Sequence, residues 1–451
     1  MTLWTAADLC AATGGTMDVP FDATGVSIDT RTLLPGELFV ALDGTTDGHA
    51  HVADALARGA AGVMVHQDTP GPALRVTDTF AALQALGAAG RARFTGRMVS
   101  VTGSVGKTTT KDMLHQALAA FGPVHAAHAS YNNHWGVPLT LARLPPDALF
   151  CVTEIGMNHA GEIAPLAALA RPDVAVVTAI ASNHIGHLGS IEAIADEKGA
   201  LLAASPIGVI PTGPFQARLA ARIRGQILTF GPGGDVEFDE TGLWFKQPSP
   251  ACETGLGEDF GTTNRPSSLR ISIALHLAAP GTHMMSNAAA VVAACIALGL
   301  DPTRAAAALD GFAARAGRGA QRDLAGITLL DESYNASVAS IAAALAVLRT
   351  MPGRRVAILG DMLELGTHVT AEHARLIPLV AESADLLYGC GPAMQAVCDA
   401  RPGSVWAAST ASLVPLLALR RGDAVLVKGS LGSRMAVVVQ AMEDQASLGW
   451  G

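Results

Sequence analysis

The stretch from Met98 to Thr109, reading Met-Val-Ser-Val-Thr-Gly-Ser-Val-Gly-Lys-Thr-Thr, constrains this chain more than any other. An apolar run of strand character passes through a glycine loop directly into a helical pattern, with Leu114, Leu118 and Phe121 on one face. Further short apolar runs at Phe150-Cys151-Val152 and at Val174 to Val177 alternate with helical segments. That order predicts a parallel sheet whose strands are joined by crossover helices. Backbone N–H groups of a glycine loop can wrap a polyphosphate, and the helix N-terminus adds positive potential. In such a loop, Lys107 reaches the β/γ-phosphates and Thr108 offers a hydroxyl to Mg²⁺. The full eight-residue pattern needs a glycine six positions before the lysine; Val101 stands there, so the loop is a shortened variant.

The chain has 451 residues, which at roughly 150 residues per domain suggests three domains. We expect an α/β protein with limits at 1–93, 94–314 and 315–451. The first unit opens with a helix capped by Thr5 and Asp8 and closed by Gly14-Gly15. It continues through a strand at Leu38 to Leu42, a helix near His51 to Arg58 and a strand at Gly62 to Val65. The third unit has strands at Ile327–Leu330, Val356–Leu359, Leu386–Tyr388 and Ala424–Val427, with helices between. Residues 247–268, rich in Pro, Gly, Ser and Thr, read as a surface loop, and Leu269 to Leu277 alternates like a strand.

Composition narrows the function classes. The net charge is −9 and no basic run occurs, which argues against a nucleic-acid or anionic-membrane surface. The longest apolar stretch, Ala288 to Leu300, falls short of the roughly 20 residues a membrane crossing needs. The first residues carry neither a basic n-region nor a long apolar h-region. The six cysteines are scattered, with no C-x-x-C pair, and read as reduced thiols. Together these features predict a cytoplasmic enzyme.

Three further positions carry chemistry. Glu154 ends a parallel strand, where a carboxylate points into the ligand crevice and beside a phosphate loop becomes a natural Mg²⁺ ligand; a helix-capping acid is the plainer reading. His184 and His187, spaced i,i+3 after a strand end, read either as exposed loop histidines or as one ligand facing the crevice. The chain contains only five lysines, Lys107, Lys111, Lys198, Lys246 and Lys428, so a generic solvating role is weaker than usual for Lys198 and Lys428.

Taken with T-G-S-V-G-K-T-T-T-K (102–111), other segments make the chain resemble the Mur ligases along nearly its whole length. These are Y-N-N-H-W-G-V-P-L-T-L (131–141), E-I-G-M-N-H-A-G-E-I (154–163), N-H-I-G-H-L-G-S (183–190), G-T-H-M-M-S-N-A-A-A (281–290) and D-E-S-Y-N-A-S (331–337). S-I-D-T-R-T-L-L-P-G-E-L-F-V-A-L-D-G-T-T-D-G-H (27–49) resembles the uridine-nucleotide-binding N-domain of the two members acting late on the peptide stem. L-G-D-M-L-E-L-G (359–366), followed by His373, resembles the member that adds D-alanyl-D-alanine. The D-N-P-R motif of the preceding ligase is absent.

The resemblance implies a small α/β uridine-nucleotide-binding N-domain, a central P-loop ATPase-like domain with a parallel sheet, and a C-terminal Rossmann-like domain. It implies an ATP-dependent amide ligase that joins D-alanyl-D-alanine to UDP-N-acetylmuramoyl-tripeptide through an acyl phosphate, and a monomer. Carried over by position, Thr30 and Arg31 lie near the uridine diphosphate and Asn133 helps hold the sugar-peptide. Gly103, Ser104, Val105, Gly106, Lys107, Thr108 and Thr109 hold the phosphates, and Asn287 contacts adenine. Thr108, Glu154, His184 and a carbamate on Lys198 hold Mg²⁺, as two ions. Arg318, Asp331, Tyr334 and Asn335 close over the nucleotide, and Lys428 belongs to a C-terminal substrate-binding motif. The residues themselves leave Lys198 open between a carbamate and a salt bridge to Asp196 or Glu197.

Three positions depart from the family pattern. His134-Trp135 replaces a more usual acidic and aliphatic pair, Leu431 a basic residue, and Ile210-Pro211-Thr212-Gly213 an Asn-Ala-Asp-Asp run. Two rival readings are a folylpolyglutamate synthase-like ligase of the same superfamily and a P-loop NTPase switch. The switch would leave Glu154, His184 and Lys198 unexplained.

Overall fold

The computed structural model describes residues 2–44, 46–127, 129–246 and 270–450. The expected loop at 247–268 lies outside them. The first helix, Ala6–Thr13, has the capping box read from the sequence: the Thr5 side chain accepts from the Asp8 N–H, the Asp8 carboxylate accepts from the Thr5 N–H, and Gly14 closes the helix at φ 68°.

Three sheets follow one another along the chain. The first has five strands in the order Thr16–Met17, Ala73–Arg75, Gly62–Val65, Leu38–Val40, Val26–Ser27, parallel except at the Thr16–Met17 edge. Its strand from Leu38 stops at Val40, two residues short of expectation, and the helix expected near His51 begins as a 3₁₀ turn, Gly48–His51, before Val52–Ala57.

The second sheet has nine strands, ordered Arg270–Ala274, Gly242–Lys246, Val236–Phe238, Gln226–Phe230, Ile207–Pro211, Val174–Val177, Arg97–Thr102, Phe150–Glu154, Val124–Ala126. The strand Arg97–Thr102 lies inside this sheet. Val101 pairs with Glu154 on one side and Thr102 with Val177 on the other, so three strands end level with one another. After Arg97–Thr102 the chain runs out to one side, returns through Phe150–Glu154, and then continues on the far side at Val174–Val177. Such a reversal leaves a crevice at the carboxyl ends of the strands.

The apolar stretch at Ala288 is the heart of the helix Thr282–Ala297, whose residues Ala288 to Cys295 are all buried against this sheet. Among the described residues, no helix is long and apolar enough to cross a membrane. Burial pushes the Cys151 and Cys295 thiols up to about 12, which holds both as unreactive thiols.

The third sheet has six strands, ordered Ala320–Leu324, Ile327–Glu332, Asp423–Lys428, Arg354–Gly360, Leu386–Cys390, Val405–Ala407, parallel beyond its first pair. Apolar clusters cover both of its faces.

Candidate active site

The loop between Arg97–Thr102 and the helix Lys107–Ala119 depends on its two glycines. A Cβ on Gly103 would overlap Thr178 Oγ1, and one on Gly106, at φ +84°, would lie 2.5 Å from Asn287 Oδ1. Ser104 ties the loop to the next strand end: its N–H donates to Ala179 O at 2.8 Å and its hydroxyl to Ala181 O at 3.0 Å. Lys107 curls back and donates to Gly103 O at 2.8 Å. Its surroundings lower the ammonium pKa by desolvation, which the Glu154 carboxylate partly opposes.

Glu154 is almost fully buried. Its carboxylate accepts from Thr108 Oγ1 at 2.8 Å and from Asn132 Nδ2 at 2.7 Å, both neutral donors. The Lys107 ammonium is a charge that already faces it. A hydroxyl, a carboxylate and the imidazole of His184 on one wall form a donor set that suits Mg²⁺ in its oxygen atoms. These residues therefore fit the expected ion.

The facing wall comes from the third unit. Arg318 Nη2 donates to Ser130 Oγ at 2.7 Å, and Ser130 Oγ lies 3.2 Å from Thr108 Oγ1. The Arg318 guanidinium stacks 3.8 Å over the Tyr334 ring. Lys428 is buried and donates to Glu332 Oε2 at 3.0 Å and Asn335 O at 2.9 Å. Between the walls lies a cavity of about 430 Å³. It brings together Ser104 to Thr109, Glu154, His184, Asn287, Arg318, Tyr334, Asn335 and Lys428.

The other expected residues stand apart from this lining. Asp331 is buried under it, where its carboxylate accepts from the Gly317 and Ser333 N–H groups at 2.9 and 3.2 Å, fixing the turns that carry Arg318 and Tyr334. Asn133 caps the helix Gly136–Ala142 through the Trp135 and Gly136 N–H groups. Thr30 and Arg31 lie in the first unit, where Arg31 makes a two-pronged pair with Asp29 at 2.9 and 2.6 Å. The unusual His134-Trp135 pair packs toward that unit as well: His134 meets the Phe80 ring edge-on at 5.5 Å, and Trp135 lies against Gly44.

Lys198 sits in the helix Ile191–Ala203 and is buried. The alternative of a neighbouring salt bridge is not realised. Asp196 pairs with Arg218 and Arg222 at 3.0 and 2.8 Å, and Glu197 accepts from the Gly161 and Ile163 N–H groups at 2.8 and 2.9 Å. Burial pushes the Lys198 ammonium well below its usual pKa, and the Lys107 charge pushes in the same direction. Burial thus disfavours the charged form of this amine.

Sequence reasoning missed Ser130, Asn132, His283, Met284, Leu363 and Glu364, all of which line the cleft. All but Ser130 lie in the segments 131–141, 281–290 and 359–366 that carry the resemblance, so a signal existed for them. Among the described residues, one group of metal-ligating type lies elsewhere: Asp43, His49 and His66. There His49 Nδ1 is 2.7 Å from Asp47 Oδ1 and Nε2 accepts from the His66 N–H at 3.3 Å, so both ring nitrogens are engaged.

Comparison with known proteins agrees with this architecture. Residues 101–295 match the Mur ligase middle domain, and residues 317–431 match the Mur ligase, glutamate ligase domain. The chain belongs to the Mur ligase family. Within it, the chain is 34% identical over 448 residues to the UDP-N-acetylmuramoyl-tripeptide–D-alanyl-D-alanine ligase of Escherichia coli, covering 95% of both chains. It is 33% identical to the protein of that name from Synechocystis, covering 78% of this chain and 75% of the relative. A crystal structure of MurF from Acinetobacter baumannii superposes with a TM-score of 0.83 at 27% identity, covering 98% of this chain and 99% of that one. The particular branch is thus that of the MurF-type ligases.

Proposed function

We propose that this ligase uses ATP to join D-alanyl-D-alanine to UDP-N-acetylmuramoyl-tripeptide. One observation carries the reading: the phosphate loop, a buried carboxylate and the cationic groups of a second unit line a single cleft. An amide does not form from a carboxylate in water without activation, so the tripeptide's terminal carboxylate first takes the γ-phosphoryl group of ATP. The amine of D-alanyl-D-alanine then attacks the acyl carbon, the C–N bond forms, and phosphate leaves.

The loop N–H groups and Lys107 hold the phosphates and offset the repulsion between two anions. Asn287, against Gly106, is suited to contact the adenine. Thr108, Glu154, His184 and Lys198 would hold Mg²⁺, which supplies charge neutralisation at the transferring phosphoryl group. CO₂ adding to the Lys198 amine, with loss of a proton, would give a carbamate, an anionic oxygen ligand where an amine stood. Arg318 and Tyr334 close over the nucleotide, and Lys428 steadies the loop carrying Asn335. Thr30, Arg31 and Asn133 serve the uridine and sugar-peptide end.

We place the domain limits at 1–93, 94–314 and 315–451, and read the protein as a cytoplasmic monomer. The test is direct. Purified protein receives ATP, Mg²⁺, D-alanyl-D-alanine and the UDP-linked tripeptide, with lysine or diaminopimelate as third residue. Product mass and ADP should rise together, and glutamate should not replace the dipeptide. Ligation of glutamate, or ATP hydrolysis without ligated product, would overturn the reading.

A further inference from the structure

The loop after Arg354–Gly360 crosses the cleft and lands on the loop that carries His184. Glu364 Oε2 stands 2.6 Å from His184 Nδ1, off the axis of an aligned hydrogen bond, and Nδ1 is buried with no other partner among the described residues. The backbones touch beside this contact. The Gly186 N–H donates to Glu364 O at 3.2 Å, and a Cβ on Gly186 would lie 2.5 Å from Gly366 N. Ser182 Oγ donates to Glu372 Oε2 at 2.5 Å on the same seam. His184 at φ 62° and Glu364 at φ 64° are both left-handed, a conformation that residues other than glycine adopt only when their surroundings enforce it.

An imidazole that ligates a cation through one nitrogen is best held when an acceptor takes the proton of the other. That acceptor fixes the tautomer, orients the ring and makes it a stronger ligand. Here the nearest carboxylate belongs to a different unit from Thr108, Glu154 and His184.

We propose that Glu364 is a positioning residue for His184, delivered across the cleft by the third unit, so that docking of that unit and cation binding strengthen each other. The proposal rests on the nucleotide-site reading above. Contact with Nδ1 leaves Nε2 as the ligand nitrogen. Because the coupling is thermodynamic, it is reciprocal: whatever factor docking adds to cation affinity, the cation adds to docking.

The experiment uses full-length protein with a non-hydrolysable ATP analogue and Mn²⁺ as a paramagnetic probe. Mn²⁺ affinity is read by electron paramagnetic resonance and compactness by small-angle scattering. Glu364→Ala should weaken Mn²⁺ binding about 10- to 100-fold and abolish the compaction Mn²⁺ causes in the wild type. Glu364→Gln, which keeps an acceptor, should restore most of the affinity. Gly186→Ala, which wedges the two loops apart without touching the carboxylate, should weaken Mn²⁺ binding in the same direction. Thermal unfolding of each variant identifies any that fails to fold. Equal or tighter Mn²⁺ binding by Glu364→Ala would overturn the proposal, since the carboxylate would then merely block the imidazole. A wild type that takes up no Mn²⁺ with the analogue would overturn the nucleotide-site reading and this proposal with it.

Discussion

The first and second units share an apolar core framed by side-chain-to-carbonyl bonds from Arg91, Arg93 and Arg143, whereas the second and third meet through polar pairs. At the first seam, the helix Thr79–Arg93 lies on the helix Gly136–Ala142, and glycines let the backbones meet: a Cβ on Gly90 would overlap Leu141 O. Leu139 and Ala142 share one buried cluster with Trp4, Leu9, Leu83 and Leu86. Trp4 Nε1 donates to Ala142 O at 2.8 Å, and Arg93 stacks 3.7 Å over the Trp4 ring. At the second seam the contacts include Arg315 with Asp112 at 2.8 Å, Arg318 with Ser130, His184 with Glu364, and Ser182 with Glu372. Parting the first seam exposes apolar surface at about 25 cal/mol per Å², whereas parting the second exchanges polar contacts for water at small net cost. We expect the first joint to stay fixed and the second, where the cleft lies, to be the movable one.

The largest expected effect tests the chemistry at the movable joint. Lys107→Met should lower kcat roughly 1,000-fold, about 4 kcal/mol, without lowering the unfolding midpoint, because the amine it removes is held at a desolvation cost. Arg318→Ala should lower kcat roughly 100-fold, about 2.7 kcal/mol, again with unchanged stability in thermal unfolding.

The fixed joint should behave in the opposite way. Gly90→Val should destabilise the fold by about 3 kcal/mol through overpacking, measured by urea unfolding, while the folded fraction keeps its kcat. A Gly90 variant that lost turnover but not stability would erase the distinction between the joints.

Lys198 gives a pH test. Its folded-state pKa is depressed, so below the unfolded value the unfolded chain binds the extra proton and stability is reduced. In CO₂-free buffer, Lys198→Met should be more stable than wild type at pH 7, and the gap should narrow as pH rises toward 10.

His125 gives the smallest effect. Burial lowers its pKa to about 4, and its Nε2 lies 2.9 Å from Thr140 O, at the helix of the fixed joint. Below the unfolded pKa of roughly 6.5 the unfolded chain binds a proton that the folded chain refuses. The stability contribution is therefore complete above that pH and is lost progressively as pH falls toward 4. His125→Asn should flatten the acid limb of the stability profile, read by unfolding midpoints between pH 7 and 4.

The two joints were unequally legible. The phosphate loop and Glu154 could be read because strand, loop and helix are local, and a strand end faces the crevice. The cross-cleft contacts could not: Arg318 meets Ser130 across 188 residues, and a loop has no periodicity to say which way a side chain points. Asn132 and Asn133 illustrate this, since one holds Glu154 and its neighbour caps a helix. Strands as short as Thr16–Met17 and Val26–Ser27 hold too few residues to display alternation. The glycine contacts of the fixed joint are invisible in sequence, because a glycine inside a helix announces no partner.

The central claim is that a phosphoryl group passes from the nucleotide to a carboxylate within the cleft. Labelling the tripeptide's terminal carboxylate with ¹⁸O and following the label by mass spectrometry tests it most directly. The account predicts one ¹⁸O in the released phosphate for each amide formed, with labelled phosphate appearing roughly 1,000-fold more slowly in Lys107→Met. Amide formation with unlabelled phosphate would contradict it.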